Sequence, residues 1–398
     1  MLVLEIALVL LAMAGHVTVW VAAVNRIHAL AGPQWLVDGL TCCCWGFLLL
    51  APVGLAVIAS SATTSWSLRH APWYVLCYVI PCCAVALAAL RNRIHHACRR
   101  RQLRVLLANH TTSVDLVDAL GHRPVHHRSS RVLTRLPGNE TLVLTIHEET
   151  LGIRRLHPAL DGLRIAHLSD LHLSGRLGKA FFQEIVARTN RLRPDLVAIT
   201  GDLFDQTACV DWGAETLGRL ASRYGVFFVL GNHDLRVDEQ HARRQLTACG
   251  LVDLGGRWRR IDVGGRPLVL AGNELPWFAP AADMDHCPGQ FDGQRALRLL
   301  LAHAPDQVDW ARRFDFDLML AGHTHGGQIR LPLLGSVFTP SRWGTTYAAG
   351  LYDLPPTVLH VSRGISSLTL LRWNCPPELA LLVLRRAAPG PDSGQAAS

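Results

Sequence analysis

Five apolar runs between residues 162 and 327 each end in an aspartate, an asparagine or a histidine, and this recurrence constrains the fold most. The runs read LRIAHLSDLHL, DLVAITGDLFD, YGVFFVLGNHD, RLLLAHAPD and FDLMLAGHTHGG. Helical patterns separate several of them, which is typical of a sheet with largely parallel strands. Because ligands of open α/β sheets bind at the carboxyl ends of the strands, these polar residues are expected to converge on one edge.

The converging residues form a set of carboxylate, imidazole and amide groups without a thiolate. They are Asp170, His172, Asp202, Asn232, His233, His303, His323 and His325. Such oxygen and nitrogen donors suit Mn²⁺, Fe or Zn²⁺, and one carboxylate can bridge two ions. Burying so many polar groups is costly unless a compensating charge is present. The sequence therefore predicts two divalent metal ions, with Mn²⁺ favoured.

The order of the motifs resembles that of the calcineurin-like metallophosphoesterases. The motifs are DxH, GDxxD, GNHD, a lone histidine before Ala-Pro-Asp, and GHTH, and the resemblance covers about residues 163–384. The flanking stretches GHTHGGQIRLP and SRGISSLTLLRWNCPPELALLVL are similar to the membrane-associated branch of YkuE-like and YaeI-like phosphodiesterases. The resemblance implies a four-layer α/β/β/α sandwich, with two facing mixed sheets and helices outside.

The resemblance also implies roles for individual residues. One metal is expected at Asp170, His172, Asp202 and His325, and the second at Asp202, Asn232, His303 and His323, so that Asp202 bridges the ions. His233 is expected to act as the general acid, with Asp234 orienting it. Two such ions bind a water between them, lower its pKa and hold the resulting hydroxide in line with a phosphorus atom.

Five further residues allow two interpretations each. Asp205 either supports the metal shell or belongs to a solvated turn or helix cap, and the sequence does not separate the two. For Arg363 and Arg372, structural pairing is favoured over contact with a substrate phosphate. His167 and His360 lie within apolar strands and are expected to be core residues with hydrogen-bond partners.

Three apolar stretches open the chain, at 2–24, 41–59 and 73–90. Each has about the 20 residues with which a helix crosses a bilayer, whereas a signal peptide is a single shorter run. Helices buried in a soluble domain are the disfavoured alternative. Six arginines fall between residues 91 and 104, directly after the third stretch. Arginine bias therefore predicts three spans with the remainder of the chain in the cytoplasm, and a periplasmic placement is the alternative.

The sequence predicts four regions, and the spacing of its cysteines disfavours a disulfide framework. The regions are a three-span transmembrane region at 1–91, a basic juxtamembrane connector with a lead-in strand at 92–160, the catalytic domain at 161–386, and a disordered tail at 387–398. Seven of the 11 cysteines lie in or beside the apolar stretches, and the other four are far apart. They are interpreted as small buried hydrophobic residues.

Together these features predict a membrane-anchored, metal-dependent phosphoesterase that hydrolyses a phosphodiester or pyrophosphate bond. A site held near a bilayer favours a lipid-linked substrate, of which UDP-diacylglucosamine is an example that the resemblance suggests. Without the six clustered arginines the net charge of +8 falls to +2, and no nucleic acid partner is expected. A nucleotide or nucleic-acid phosphodiesterase and a non-catalytic membrane-anchored binding or sensing protein are the alternatives.

Overall fold

A computed structural model describes residues 2–30, 32–62, 72–101, 105–332 and 334–387. The chain divides into two compact units, one of residues 1–102 with 340–346 and the other of residues 103–339 with 347–398. Each is described separately below. Apart from Ala387, the predicted disordered tail lies outside the described residues.

The first unit contains three long helices. They are α1 (Leu2–Ile27), α2 (Gln34–Ala62) and α3 (Trp73–Arg101). Each contains a stretch that is long and apolar enough to cross a membrane, at Val3–Ile27, Trp35–Val57 and Trp73–Ile94. The helix α1 packs tightly on α3 at Gly15, where an added Cβ would lie 1.8 Å from the carbonyl oxygen of Cys82. The three predicted spans thus correspond to three helices.

The second unit is built on two large sheets, whose strands are numbered here in chain order. The first sheet has seven strands in the order β1-β2-β17-β3-β4-β5-β6. These strands are β1 (Leu106–Asp115), β2 (Val143–Ile153), β3 (Arg164–Leu168), β4 (Leu196–Thr200), β5 (Val226–Val229), β6 (Val252–Asp253) and β17 (Glu378–Arg386). The strands β3 to β6 run parallel to one another. The strand β17 is parallel to β2 and antiparallel to β3.

The second sheet has six strands in the order β15-β16-β12-β11-β8-β7. They are β7 (Trp258–Val263), β8 (Arg266–Asn273), β11 (Leu297–Ala302), β12 (Leu318–Ala321), β15 (Gly350–Leu354) and β16 (Thr357–Val361). The four inner strands β8, β11, β12 and β16 are parallel, and the antiparallel strands β7 and β15 close the two edges. Two short hairpins complete the strands: β9 (Gln290–Phe291) with β10 (Gln294–Arg295), and β13 (Arg330–Leu331) with β14 (Gly335–Ser336).

The shorter helices of this unit lie between strands along the sequence. They are α4 (Leu116–Leu120), α5 (Arg128–Leu133), α6 (Lys179–Arg191), α7 (Trp212–Glu215), α8 (Glu239–Ala248) and α9 (Val308–Arg313). One apolar core lies between the sheets, where Ile165 and Phe227 of the first share a cluster with Leu299 of the second. The outer faces are covered by helices, since Phe181 of α6 belongs to a second cluster and Ala311 of α9 to a third. This is the predicted α/β/β/α layering.

The region between the arginine run and residue 160 has a larger structural role than the single predicted lead-in strand. The strands β1 and β2 form an antiparallel hairpin, and β2 then pairs in parallel with β17. The sequence predicts only one strand within 92–160, because most of the residues of β1 are exposed and carry no alternating apolar pattern. The hairpin extends the first sheet of the second unit.

Candidate metal centre

The carboxyl ends of five parallel strands bring the predicted polar residues together. Asp170 and His172 follow β3, Asp202 follows β4, and Asn232 follows β5. From the second sheet, His303 follows β11 and both His323 and His325 follow β12. Side chains separated by up to 155 positions therefore meet at one end of the two sheets.

The first cluster contains Asp170, His172, Asp202 and His325, with one ligand atom from each within 4.8 Å of the others. The Nε2 atoms of His172 and His325 lie 3.2 Å apart. Nε2 of His172 is 3.6 Å from Oδ2 of Asp202, and Nε2 of His325 is 3.4 Å from Oδ1 of Asp170. This group matches the first predicted ligand set.

The second cluster contains Asp202, His303 and His323. Nε2 of His303 lies 3.3 Å from Oδ1 of Asp202, 3.1 Å from Nδ1 of His323 and 3.1 Å from Oδ1 of Asn232. The two carboxylate oxygens of Asp202 thus turn towards different clusters, as a bridging ligand would require. The structure brings together the four residues of the second predicted set.

These distances fit a bound divalent cation. Two ligands about 2.0–2.1 Å from one ion, at tetrahedral or octahedral angles, are about 2.8–3.4 Å apart. The imidazole pairs above fall in this range, at 3.2 and 3.1 Å. Metal-binding histidines commonly donate a hydrogen bond from the N–H of their other ring nitrogen to an oxygen. Nδ1 of His172 faces Asp205 at 3.0 Å, and Nδ1 of His303 faces the carbonyl oxygen of Thr200 at 2.8 Å.

Five of the predicted ligands have left-handed backbone conformations, which non-glycine residues seldom adopt. Their φ angles are 52° at Asp170, 48° at His172, 54° at Asp202, 68° at His323 and 49° at His325. Such conformations cost of order 1–3 kcal/mol each and cluster at functional sites. Their concentration here supports a functional centre, because packing alone gives no reason for it.

Glycines allow the two histidines of GHTH to approach the first sheet. An added Cβ at Gly322 would lie 1.8 Å from Oγ of Ser169 and 2.3 Å from Oδ2 of Asp170. The backbone N–H of His323 donates to both oxygens of Asp170, each at 3.1 Å. Gly326 follows with a φ of 62°, in agreement with the turn that the double glycine predicts.

Asp205 connects a predicted metal ligand with the predicted general acid. Its carboxylate lies 3.0 Å from Nδ1 of His172 and 2.6 Å from Nδ1 of His233. Burial alone would raise the pKa of Asp205, but hydrogen bonds from the two histidines outweigh burial and hold the pKa well below its usual value. Of the two interpretations of Asp205, the structure supports the one that places it in the site.

The orienting contact to His233 differs from the prediction. It comes from Asp205, whereas the Asp234 carboxylate accepts hydrogen bonds from the backbone N–H groups of Leu203, Phe204 and Gly231. Burial and the nearby Asp202 raise the pKa of Asp234 to about 7. The short 3₁₀ turn at Asn232–Arg236 directs Asp234 towards the loop after β4, so its role there is to hold that loop.

Opposite electrostatic effects act on the buried carboxylates and imidazoles of the centre. Burial raises the pKa of Asp170. Burial lowers the pKa of His303, but the Asp202 carboxylate outweighs this and raises it to about 9. Protons therefore compete with cations for these atoms, which makes cation binding dependent on pH.

The two late arginines are held by the protein. Arg372 is fully buried and donates to the carbonyl oxygens of Arg363 and Ser366, at 2.8 and 2.7 Å. Nε of Arg363 lies 3.2 Å from Oε2 of Glu378. The favoured prediction of structural pairing is in line with these contacts.

A polar cluster between the sheets contains the two predicted core histidines. Nδ1 of His167 lies 2.9 Å from Nδ1 of His360, and its Nε2 lies 2.8 Å from Oγ1 of Thr200. Nε2 of His360 lies 3.5 Å from Oε1 of Glu378 and 3.7 Å from Oε2 of Glu149. Both histidines are buried with partners, as expected.

Trp277 borders the centre and was not predicted. Its ring centroid lies 4.9 Å from that of His323 and 5.4 Å from that of His303. The residue lies in the irregular stretch between β8 and β9, where neither periodicity nor a motif marks it. No sequence signal could have identified this neighbour of the second cluster.

Comparison with known proteins agrees with this geometry. The profile of the family described as calcineurin-like phosphoesterase matches residues 163–327. Phosphodiesterase YaeI of Escherichia coli is 34% identical over 230 residues, which are 56% of this chain and 82% of the relative. YkuE, an uncharacterized metallophosphoesterase of Bacillus subtilis, is 28% identical and aligns over 60% of this chain and 84% of its own length. A transmembrane protein with metallophosphoesterase domain from Danio rerio is 32% identical, over 60% of this chain and 56% of the relative.

Two facing mixed sheets with carboxylates and imidazoles at the strand ends define a metal-dependent phosphoester hydrolase. The family binds two divalent metals, and the two clusters described above match that number. With 34% identity to YaeI over most of the length of that protein, the chain belongs to the calcineurin-like phosphoesterase family.

Proposed function

We propose that the protein is a membrane-anchored phosphodiesterase or pyrophosphatase with two metals, acting on a lipid-linked substrate. The reaction class is supported mainly by Asp202, whose carboxylate belongs to both clusters of nitrogen and oxygen donors. Membrane anchoring is supported by the three apolar helices and by the transmembrane relative. A lipid-linked substrate is favoured because the predicted spans precede the catalytic domain in the same chain.

The assignment of the ligands follows the two clusters. Asp170, His172, Asp202 and His325 hold one cation, and Asp202, Asn232, His303 and His323 hold the other. Mn²⁺ is the ion we propose, and Fe and Zn²⁺ also accept these imidazole and carboxylate ligands. When bound, the two cations supply Lewis acidity, which activates water and offsets negative charge on the phosphoryl oxygens.

His233 is proposed to donate the proton that the leaving oxygen needs. Water adds its oxygen to phosphorus and loses one proton to solvent, the bond between phosphorus and the leaving oxygen breaks, and the leaving oxygen takes a proton from His233. The side chain of His233 is 18% exposed, whereas those of His172 and His303 are at most 1% exposed. With Nδ1 held by Asp205 at 2.6 Å, the Nε2 nitrogen is left for the substrate. Asp234 acts on the reaction only by fixing the loop that carries Asp202.

The domain organisation and topology complete the proposal. The spans occupy residues 1–91, the connector with the added hairpin 92–160 and the catalytic domain 161–386. The arginines after the third span support a cytoplasmic catalytic domain by the positive-inside rule. A reporter fused after Ser398 and assayed on both sides of the membrane tests this placement. Reporter activity only on the periplasmic side would reverse it.

The catalytic proposal is tested with the purified full-length protein in detergent. After chelation and addition of Mn²⁺, Fe²⁺ or Zn²⁺, hydrolysis of bis(p-nitrophenyl) phosphate is measured for the wild type, Asp202→Asn and Asp211→Asn. Asp211 is exposed and provides the matched control. We expect metal-dependent turnover that Asp202→Asn abolishes and Asp211→Asn retains. Equal rates for the wild type and Asp202→Asn would leave a non-catalytic binding protein as the function.

A matched pair of substrates tests whether the enzyme prefers a lipid-linked substrate. UDP-diacylglucosamine and UDP-N-acetylglucosamine share the pyrophosphate and the nucleotide but differ in their acyl chains. We expect at least tenfold higher kcat/KM for the acylated compound. A preference for the soluble compound, or for a cyclic nucleotide or single-stranded oligonucleotide, would instead identify a nucleotide or nucleic-acid phosphodiesterase.

A further inference from the structure

Large hydrophobic side chains on the surface of the catalytic unit are concentrated in one area. Eight such side chains in the described part of this unit are more than a third exposed, and six of them lie in three segments, 121–138, 328–336 and 370–374. The six are Val132, Leu136, Ile329, Leu331, Leu334 and Trp373. We call these three segments the basic apolar face.

Hydrogen bonds join the three segments into one surface. The side-chain amide of Asn139 donates to the carbonyl oxygens of Leu133 and Leu370, at 2.7 and 2.8 Å. The backbone N–H of Arg330 donates to the carbonyl oxygen of Trp373 at 2.9 Å, and the N–H of Trp373 donates to that of Gln328 at 2.9 Å. The face is therefore a continuous part of the fold.

The charge of this face has one sign. The three segments contain six arginines and neither aspartate nor glutamate. Arg128, Arg131 and Arg135 are exposed on or next to α5, while Arg372 is buried beneath the face. Exposed apolar and tryptophan side chains among arginines are typical of surfaces that lie in the headgroup region of a bilayer.

The face adjoins the metal centre. Gln328 is three residues after the ligand His325, and its backbone N–H donates to the carbonyl oxygen of His325 at 3.1 Å. Sγ of Cys375, just beyond the third segment, also donates to that oxygen, at 3.3 Å. A membrane surface in contact with the face would lie beside the phosphoryl site.

We propose that the basic apolar face docks on anionic lipid headgroups of the bilayer and thereby places the metal centre at the membrane surface. Arginines of the face attract phosphate groups, and the apolar side chains enter the interface between headgroups and acyl chains. Delivery of a lipid-linked phosphoester to the centre rests on the proposed function, whereas the docking itself does not require turnover.

Hydrogen–deuterium exchange of the full-length protein in nanodiscs tests the docking without substrate. Peptides covering 121–138 and 328–337 are compared in discs of pure phosphatidylcholine and discs containing 30% phosphatidylglycerol. We expect at least threefold slower exchange in the anionic discs at low salt, and loss of this difference at 1 M salt, where the Debye length falls to about 3 Å. Equal exchange in both discs, or a difference that salt leaves unchanged, would overturn the proposal.

Variants distinguish the face from the rest of the surface. Arg135→Glu and Leu331→Asp should remove the protection, whereas Arg191→Glu on α6 and Leu107→Asp on β1 should retain it. Arg191 and Leu107 are exposed positions outside the face. Loss of protection in the two control variants as well would refute docking through this face. Because no hydrolysis is measured, an enzyme that fails the phosphodiesterase test can still pass this one.

Discussion

Removing the charge of Glu378 should destabilise the catalytic unit in a way that depends on pH. The carboxylate is buried between the sheets, with His360 at 3.5 Å and Arg363 at 3.2 Å. Burial alone would raise its pKa, but His360 and Arg363 outweigh burial and lower the pKa from 4.5 to about 2. A shift of one pKa unit corresponds to about 1.4 kcal/mol, so the charged form contributes roughly 3 kcal/mol to stability at neutral pH.

The direction of the pH dependence follows from the lowered pKa. A carboxylate with a depressed folded pKa contributes fully above its unfolded value, and this contribution is lost as pH falls from about 4.5 towards 2. The pKa of His360 is raised by Glu378 against the effect of burial, so the contribution of His360 is present below about 6.5 and lost as pH rises through its folded pKa. Both contributions are present between about pH 4.5 and 6.5.

The assay is urea unfolding of the full-length protein in detergent with a chelator present, followed by tryptophan fluorescence from pH 7 to pH 3. The chelator keeps release of metal at low pH out of the comparison. Glu378→Gln should unfold with a free energy about 3 kcal/mol lower than the wild type at pH 7 and about 1 kcal/mol lower at pH 3. Glu148→Gln is the matched control, because its side chain is 39% exposed on the neighbouring strand β2. A loss that is the same at pH 7 and pH 3 would show that packing, not charge, explains the effect.

Three further predictions concern the metal centre. Asp205→Asn should lower kcat by about 10- to 100-fold, since one carboxylate orients both His172 and His233, and steady-state kinetics with a soluble phosphodiester checks this. Gly322→Ala should reduce the metal content below two ions per chain, because the new Cβ collides with Asp170. Elemental analysis measures the metal content, and a variant that retains two ions would contradict the geometry. Chelation should lower the melting temperature of the wild type and readdition of Mn²⁺ should restore it, since ions at 100 times their Kd stabilise a folded protein by about 2.7 kcal/mol. An unchanged melting temperature would argue against cations that bind only the folded state.

The parts of the fold that depend on local pattern could be predicted from the sequence. Apolar runs that end in polar residues gave the parallel strands, and the parallel arrangement brought Asp170 and His303 to one edge although they are far apart in sequence. The apolar stretches corresponded to the helices α1 to α3. The first inference needs only the residue period and the rule that ligands gather at the carboxyl ends of strands. The second needs only the length and the apolar character of the stretches.

Features that depend on long-range pairing or on side-chain direction could not be predicted. The exposed strand β1 has no apolar alternation and exists because β2 and β17 provide its sheet. Asp205 and Asp234 each lie in a sequence motif that also contains a predicted metal ligand, so either could have contacted His233. The backbone turn at Asn232–Arg236 determines that the contact comes from Asp205. Trp277 lies in an irregular segment, and no sequence pattern indicates its contact with His323.

The central position of β17 has a consequence for biosynthesis. The strands β2 and β3 do not pair with each other, because β17 lies between them. About 225 residues separate the end of β2 from the start of β17. Because a ribosome adds about 5–20 residues per second, translation takes roughly 10–45 s to supply the missing strand. During that interval the nascent chain exposes two unpaired strand edges, which favours pairing with other chains until β17 has been made.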